Sequence, residues 1–185
     1  EYNPQRGDFV REALKQGLEM EANLGQNPYR LGVIGSTDSH TALSSAEEDN
    51  FHGKLATDSI PANKTSNFND DGPGSSGWAM SASGMAAVWA ESNTRSDIMD
   101  ALERREVYAT TGPRIAVQFY GGPDFTEADL ENADLHTLAT ARGVPMGGEL
   151  HQTETPTFLV MATKDPEGAN LDRIQMVKGW LDVEG

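Results

Sequence analysis

Apolar positions Phe9, Val10, Ala13, Leu14, Leu18 and Ala22 recur three and four residues apart, which predicts an amphipathic helix over residues 8–24. Asp8 is placed to cap its start and Gly25 to close its end, with Pro28 just beyond the stop. The run Tyr29 to Ile34 then predicts a buried strand, and it ends in the polar sequence Gly35-Ser36-Thr37-Asp38-Ser39-His40. Helix, tight turn, buried strand and polar loop is the rhythm of an α/β barrel or a doubly wound sheet. Residues 41–83 break every periodicity, and Asn67 to Gly77 is their most Gly-, Ser- and Asp-rich part. A connection of roughly 40 residues far exceeds the usual ~4–6, so we expect a functional lid, with a short helix near Ser45 to Asn50.

Regularity returns after Gly84. Met85 to Trp89 predicts a strand, Thr94 to Arg105 a helix capped by Thr94 with Asp97 three residues on, and Val107 to Thr110 another strand. From Arg114 the texture changes. Ile115, Val117 and Phe119 alternate with polar neighbours, and the runs Phe158 to Ala162 and Ile174 to Val177 follow. Gly121-Gly122-Pro123 and Asp165-Pro166-Glu167-Gly168 read as turns between them. This predicts a β-rich, sandwich-like tail over residues 115–185, after an α/β part over 1–114. Val177 to Gly185 reads as a strand whose partner is missing. No repeat at a 20–50 residue period is visible.

Composition narrows the function classes. Hydrophobic residues make up 37% of the 185 residues, enough for a core. Lys and Arg total 14 against 29 Asp and Glu, a net charge of −15. Such a chain repels polyanions, so we expect no nucleic-acid partner and no anionic-membrane partner. There is no Cys, which excludes disulfides and thiolate sites and leaves His and carboxylate as metal ligands. No apolar run approaches the ~20 residues of a membrane span. The chain opens on Glu1 rather than Met, so we expect a piece of a longer protein.

Chemistry concentrates at Asp38-Ser39-His40. In an extended segment, side chains two apart face the same way, so a carboxylate and an imidazole would share one pocket. Both suit a divalent ion. In parallel α/β folds catalytic groups gather at the carboxyl ends of strands, which is where this pair follows Leu31 to Ile34. A turn aspartate beside a surface histidine is the bland alternative.

The run Leu31-Gly32-Val33-Ile34-Gly35-Ser36-Thr37-Asp38-Ser39-His40 resembles the last metal-binding motif of the polymerase-and-histidinol-phosphatase (PHP) superfamily. Ala101 to Ile115, with Thr110-Thr111-Gly112-Pro113-Arg114 at its end, resembles the closing helix and strand of those barrels. With Glu47-Glu48-Asp49-Asn50-Phe51, the likeness points to a PHP-like family of large bacterial proteins known as a domain of unknown function. The resemblance implies the last βα units of a distorted (β/α)7 barrel. It implies phosphoester or related ester hydrolysis with two or three divalent ions, zinc, manganese or iron, and a small-molecule or ester substrate. It makes Asp38 and His40 metal ligands, with Asp38 a further candidate for catalysis. The family's early His-x-His and its other His and Glu ligands have no counterpart here, so the rest of the barrel, in a missing upstream segment, is the expected partner. A periplasmic or secreted location is implied by resemblance alone.

Weaker candidates surround this pair. Arg114, at a strand end, could hold a substrate anion or form a structural ion pair. Glu48 and its acidic neighbours Glu47 and Asp49, with His52 near Lys54, could belong to a substrate lid, although such a run is commonly a solvated helix end. Asn67, Asn69, Asp71 and Gly72 begin like a calcium loop, but the twelfth position is Trp78 rather than Glu. Trp78, Trp89 and Trp180 suit packing better than sugar platforms. A different class stays open: a non-catalytic β-sandwich that binds carbohydrate or a protein partner.

Overall fold

The computed structural model describes residues 3, 5, 8–42, 53–63, 84–151 and 155–182. The chain divides into two compact units, residues 1–31 with 171–185, and residues 32–170.

The first unit is built on α1, Val10–Leu24. Phe9 rather than Asp8 occupies the cap position and offers no side-chain bond. Asp8 instead takes the Gln5 N–H at 2.7 Å. The far end follows expectation: Gly25 lies at φ 72° and its N–H returns to the Glu21 carbonyl at 2.8 Å. Gly17 is buried because the Asn27 side chain folds against it, where a β-carbon would stand 2.3 Å from Asn27 Oδ1. Residues 171–182 hold no strand and are almost wholly exposed, so the strands expected at Ile174 to Val177 and from Val177 onward do not form among the described residues.

The second unit holds two small antiparallel sheets and no closed barrel among its described residues. In the first sheet β1, Met85–Val88, pairs with β2, Val107–Thr110, with Met85 opposite Thr110 and Val88 opposite Val107. Between them runs α2, Arg95–Glu103, capped by the Thr94 side chain accepting from Asp97 N–H at 3.2 Å. Its end is a Schellman turn: Glu106 N–H reaches the Ala101 carbonyl and Arg105 N–H the Leu102 carbonyl, each at 3.0 Å. The left-handed position, where glycine is usual, is Arg105 at φ 63°. Its side chain compensates by donating Nε–H to the Gly147 carbonyl at 2.9 Å.

In the second sheet β3, Ala116–Gly122, lies between β4, Val144–Pro145, and β5, Thr157–Thr163. The alternation at Val117 and Phe119 and the run at Phe158 thus mark true strands. Gly121 and Gly122, expected as a turn, are instead the buried end of β3. A β-carbon on Gly122 would stand 2.8 Å from the Phe125 ring. The tail is not all-β either, since α3, Leu135–Arg142, starts at the Asp134 cap and carries Ala139 into the core. That core is Tyr120, Phe125, Ala139 and Leu159, flanked by Leu135, Leu138 and Met161. Arg142 binds it down from outside, pairing with Asp129 at 2.6 Å and Asp124 at 3.0 Å and lying over the Phe125 ring.

The strand expected at Leu31 to Ile34 does not join a ladder. Gly32 and Gly35 nevertheless bring this segment against the hairpin: their β-carbons would stand 2.7 Å from Val107 and 2.8 Å from the Met85 carbonyl. The parallel sheet expected around it is absent among the described residues, where both sheets are antiparallel. Within 41–83, the described part 53–63 contains two 3-10 turns, Ala56–Ser59 and Pro61–Asn63. The helix expected near Ser45 to Asn50 lies outside the described residues.

Because a side chain in the left-handed region costs about 1 kcal/mol that glycine avoids, R105G should be more stable than R105A by about that amount in urea denaturation. Both variants lose the Gly147 contact equally, so equal stabilities would show that Arg105 is not strained.

Candidate functional site

The Asp38–His40 segment is held from two sides. Gly84, at φ 100°, lets the chain pass so close that a β-carbon there would stand 2.0 Å from the Ser36 carbonyl oxygen. On the other side, His40 N–H donates to the Lys54 carbonyl at 2.8 Å, within an isolated parallel bridge between His40 and Leu55. Ser36 and Thr37 hydroxyls accept from the N–H groups of Asp38 and Ser39, each at 3.3 Å.

The segment is not extended as the spacing argument assumed. Asp38 sits at φ 52°, in the left-handed region, so simple alternation of faces does not apply. Instead the His40 ring folds back until Nδ1 is 2.9 Å from the Asp38 carbonyl oxygen. A carbonyl can only accept, so Nδ1 carries a proton, and the neutral ring has its lone pair on Nε2. The Asp38 carboxylate pairs with the Lys54 ammonium. The Lys54 side chain is only 16% exposed and that of Asp38 72%, so the base is anchored and the acid reaches out to it. The hydrogen bond from Lys54, then its charge, holds the Asp38 carboxyl below the usual aspartate range.

The other candidates fall elsewhere. Arg114 is exposed, and its N–H donates to Asp165 Oδ2 at 2.6 Å. Bonds from the Arg114 and Glu167 N–H groups keep the Asp165 carboxyl low. The Arg114 backbone is thus bound by a carboxylate of its own chain. Glu48, His52, Glu47, Asp49, Trp78 and the calcium-like sequence at Asn67 to Gly72 lie outside the described residues. Among the described residues no third His, Asp or Glu joins Asp38 and His40 in a metal-holding group. A carboxylate and an imidazole are donor types that suit zinc, manganese or iron.

The family match spans the whole length. The chain belongs to the DUF3604 family, described as a protein of unknown function, whose model matches residues 1–185. No curated protein and no solved structure matches it. No helix among the described residues of this DUF3604 chain is long and apolar enough to cross a membrane.

Sequence reasoning missed a second feature. A cleft of about 640 Å³ opens in residues 32–170, lined by the residues after β1 and between α2 and β2 and by β3, α3 and β4, with side chains that include Trp89, Glu106, Gln118 and His136. No local motif could mark it, because its walls come from positions far apart in sequence.

Asp38 titrates below its unfolded counterpart, so its pairing with Lys54 adds stability above the unfolded value, and that is lost as pH falls through the folded value. In K54M the Asp38 carboxyl should titrate at higher pH, back toward the ordinary aspartate range, in a carbon-detected NMR pH titration. An unmoved titration would show that Lys54 does not set it.

Proposed function

We propose that this protein is part of a metal-dependent hydrolase of small ester substrates, phosphoesters foremost, with Asp38 and His40 as two of the metal ligands. One observation carries the reading: the His40 ring is locked by its Nδ1–H on the Asp38 carbonyl, with the Nε2 lone pair left for coordination. Ligating imidazoles commonly donate their other N–H in this way, which fixes tautomer and ring orientation. Beside it stands a carboxylate kept ionised by Lys54, and metal ligands must be deprotonated to bind. The resemblance of residues 31–40 to the last PHP motif supports the same assignment. It also supports a wider architecture in which residues 1–114 complete a PHP-like barrel.

A bound divalent ion in such a site lowers the pKa of its water toward ~7 and supplies hydroxide at neutral pH. The chain's own residues do the rest. His40 presents one fixed nitrogen. Asp38 offers an anionic oxygen. Lys54 holds that oxygen in its ionised form and competes with a cation for it, so it tunes affinity.

D38N and H40Q, each introduced into the protein as it occurs in its host, should lower bound metal measured by plasma emission spectrometry. Hydrolysis of bis(p-nitrophenyl) phosphate should fall about 100-fold or more. Wild-type metal content together with wild-type turnover in both variants would refute the proposal.

A further inference from the structure

The cleft between residues 89–91 and 104–106 on one side and β3, α3 and β4 on the other has the chemistry of a site for a ligand other than an ester anion. Its volume of about 640 Å³ lies within the range of small-molecule sites, about 300–1,000 Å³. Trp89, Phe119, Tyr120, Pro145 and Met146 supply apolar and aromatic surface. The Trp89 ring is fixed, since its indole N–H is spent on the Val117 carbonyl at 2.7 Å. What it offers a ligand is ring surface.

The polar lining is anionic rather than cationic, with Glu91 and Glu106 against Arg104. Arg104 is paired with Glu106 at 2.8 Å, and Glu91 adds a further carboxylate. Nothing there leaves a net positive charge to hold a phosphate or sulfate. His136 is fixed as a donor: its Nδ1 lies 2.9 Å from the Tyr120 hydroxyl and 3.2 Å from the Gln118 amide nitrogen. The amide nitrogen can only donate, so Nδ1 is the acceptor and the proton resides on Nε2. The cleft therefore combines carboxylate acceptors, an imidazole N–H donor and aromatic surface. A purely apolar ligand would strip water from these polar groups without replacing their hydrogen bonds. A simple cation would meet the Arg104 guanidinium.

Sugar hydroxyls both donate and accept, while the C–H faces of a pyranose ring are apolar. We propose that this cleft binds a neutral hexopyranoside or pentopyranoside, with an aromatic ring against the sugar face and Glu91, Glu106 and His136 on its hydroxyls. The cleft shares no residue with Asp38, His40 or Lys54, so the two proposals stand or fall separately.

The test is isothermal titration, with tryptophan fluorescence in parallel, on the metal-chelated chain. The probes are the methyl pyranosides of glucose, galactose, mannose and xylose, together with cellobiose. We expect saturable binding of at least one probe in the millimolar range or tighter. W89F and E91Q should each weaken it by about threefold or more. Glu91 is exposed, so E91Q should keep the wild-type melting temperature and separate loss of binding from loss of fold. The proposal is overturned if no probe binds, if binding is undiminished in both variants, or if inorganic phosphate or tetramethylammonium binds and none of the sugars does.

Discussion

Three hydrogen bonds from side chains to distant backbone carbonyls hold residues 32–170 together. Trp89 donates to Val117, Tyr108 to Ile115 and Arg105 to Gly147, at 2.7, 2.9 and 2.9 Å. Each joins the β1–β2 pair, or a residue beside it, to β3 or a loop of the other sheet. Sheets of two or three strands are marginal alone. The buried apolar set is also small: Ala101, Tyr120, Phe125, Ala139 and Leu159 among the described residues. Net hydrogen-bond contributions of about 1 kcal/mol each are then a large share of what keeps the sheets in register with one another. The cleft is a result of the same bonds, because its walls are the elements they join.

The Asp38–His40 segment obeys a different constraint, which is steric. Gly35 and Gly84 remove two β-carbons where backbones nearly touch, and Asp38 takes a left-handed turn that only a few residue types accept readily. Asp is one of them, because its short polar side chain can bond locally. The residue that serves the proposed chemistry is therefore also one that tolerates the backbone. Lys54 makes use of both, with its carbonyl on the His40 N–H and its ammonium on the Asp38 carboxylate.

Much of the local structure was legible in the sequence. The three-and-four spacing placed α1, Thr94 and Asp97 marked the start of α2, Gly25 marked a helix end, and the runs Val107 to Thr110 and Phe158 to Ala162 marked β2 and β5. Failures share a physical origin in tertiary contacts. Leu31 to Ile34 has the composition of a buried strand, but Ile34 is 54% exposed and the run joins no ladder among the described residues. Gly121-Gly122 looks like a turn unless one knows that Phe125 fills the space their side chains would take. α3 is short and carries Thr, His and Arg, so its helical character rests on the Asp134 cap and on Ala139 packing rather than on a clear stripe. Arg105 at a glycine position was illegible for the same reason. The pair Asp38 and His40 was visible as a motif, yet its geometry was not. Alternation along a strand does not describe it, since Asp38 is left-handed, the His40 ring folds back on the Asp38 backbone carbonyl and the Asp38 carboxylate turns to Lys54.

The contact between Gly84 and Ser36 pins one end of a long excursion of the chain close to where it departs. Closing a flexible loop costs free energy that grows only with the logarithm of its length, about 0.6 kcal/mol for each doubling. Between residues 42 and 84 chain length is therefore a lesser constraint than this crossing and than the contacts of Lys54 and Leu55 with Asp38 and His40. Losing either set of contacts would release the backbone beneath the acid and the imidazole.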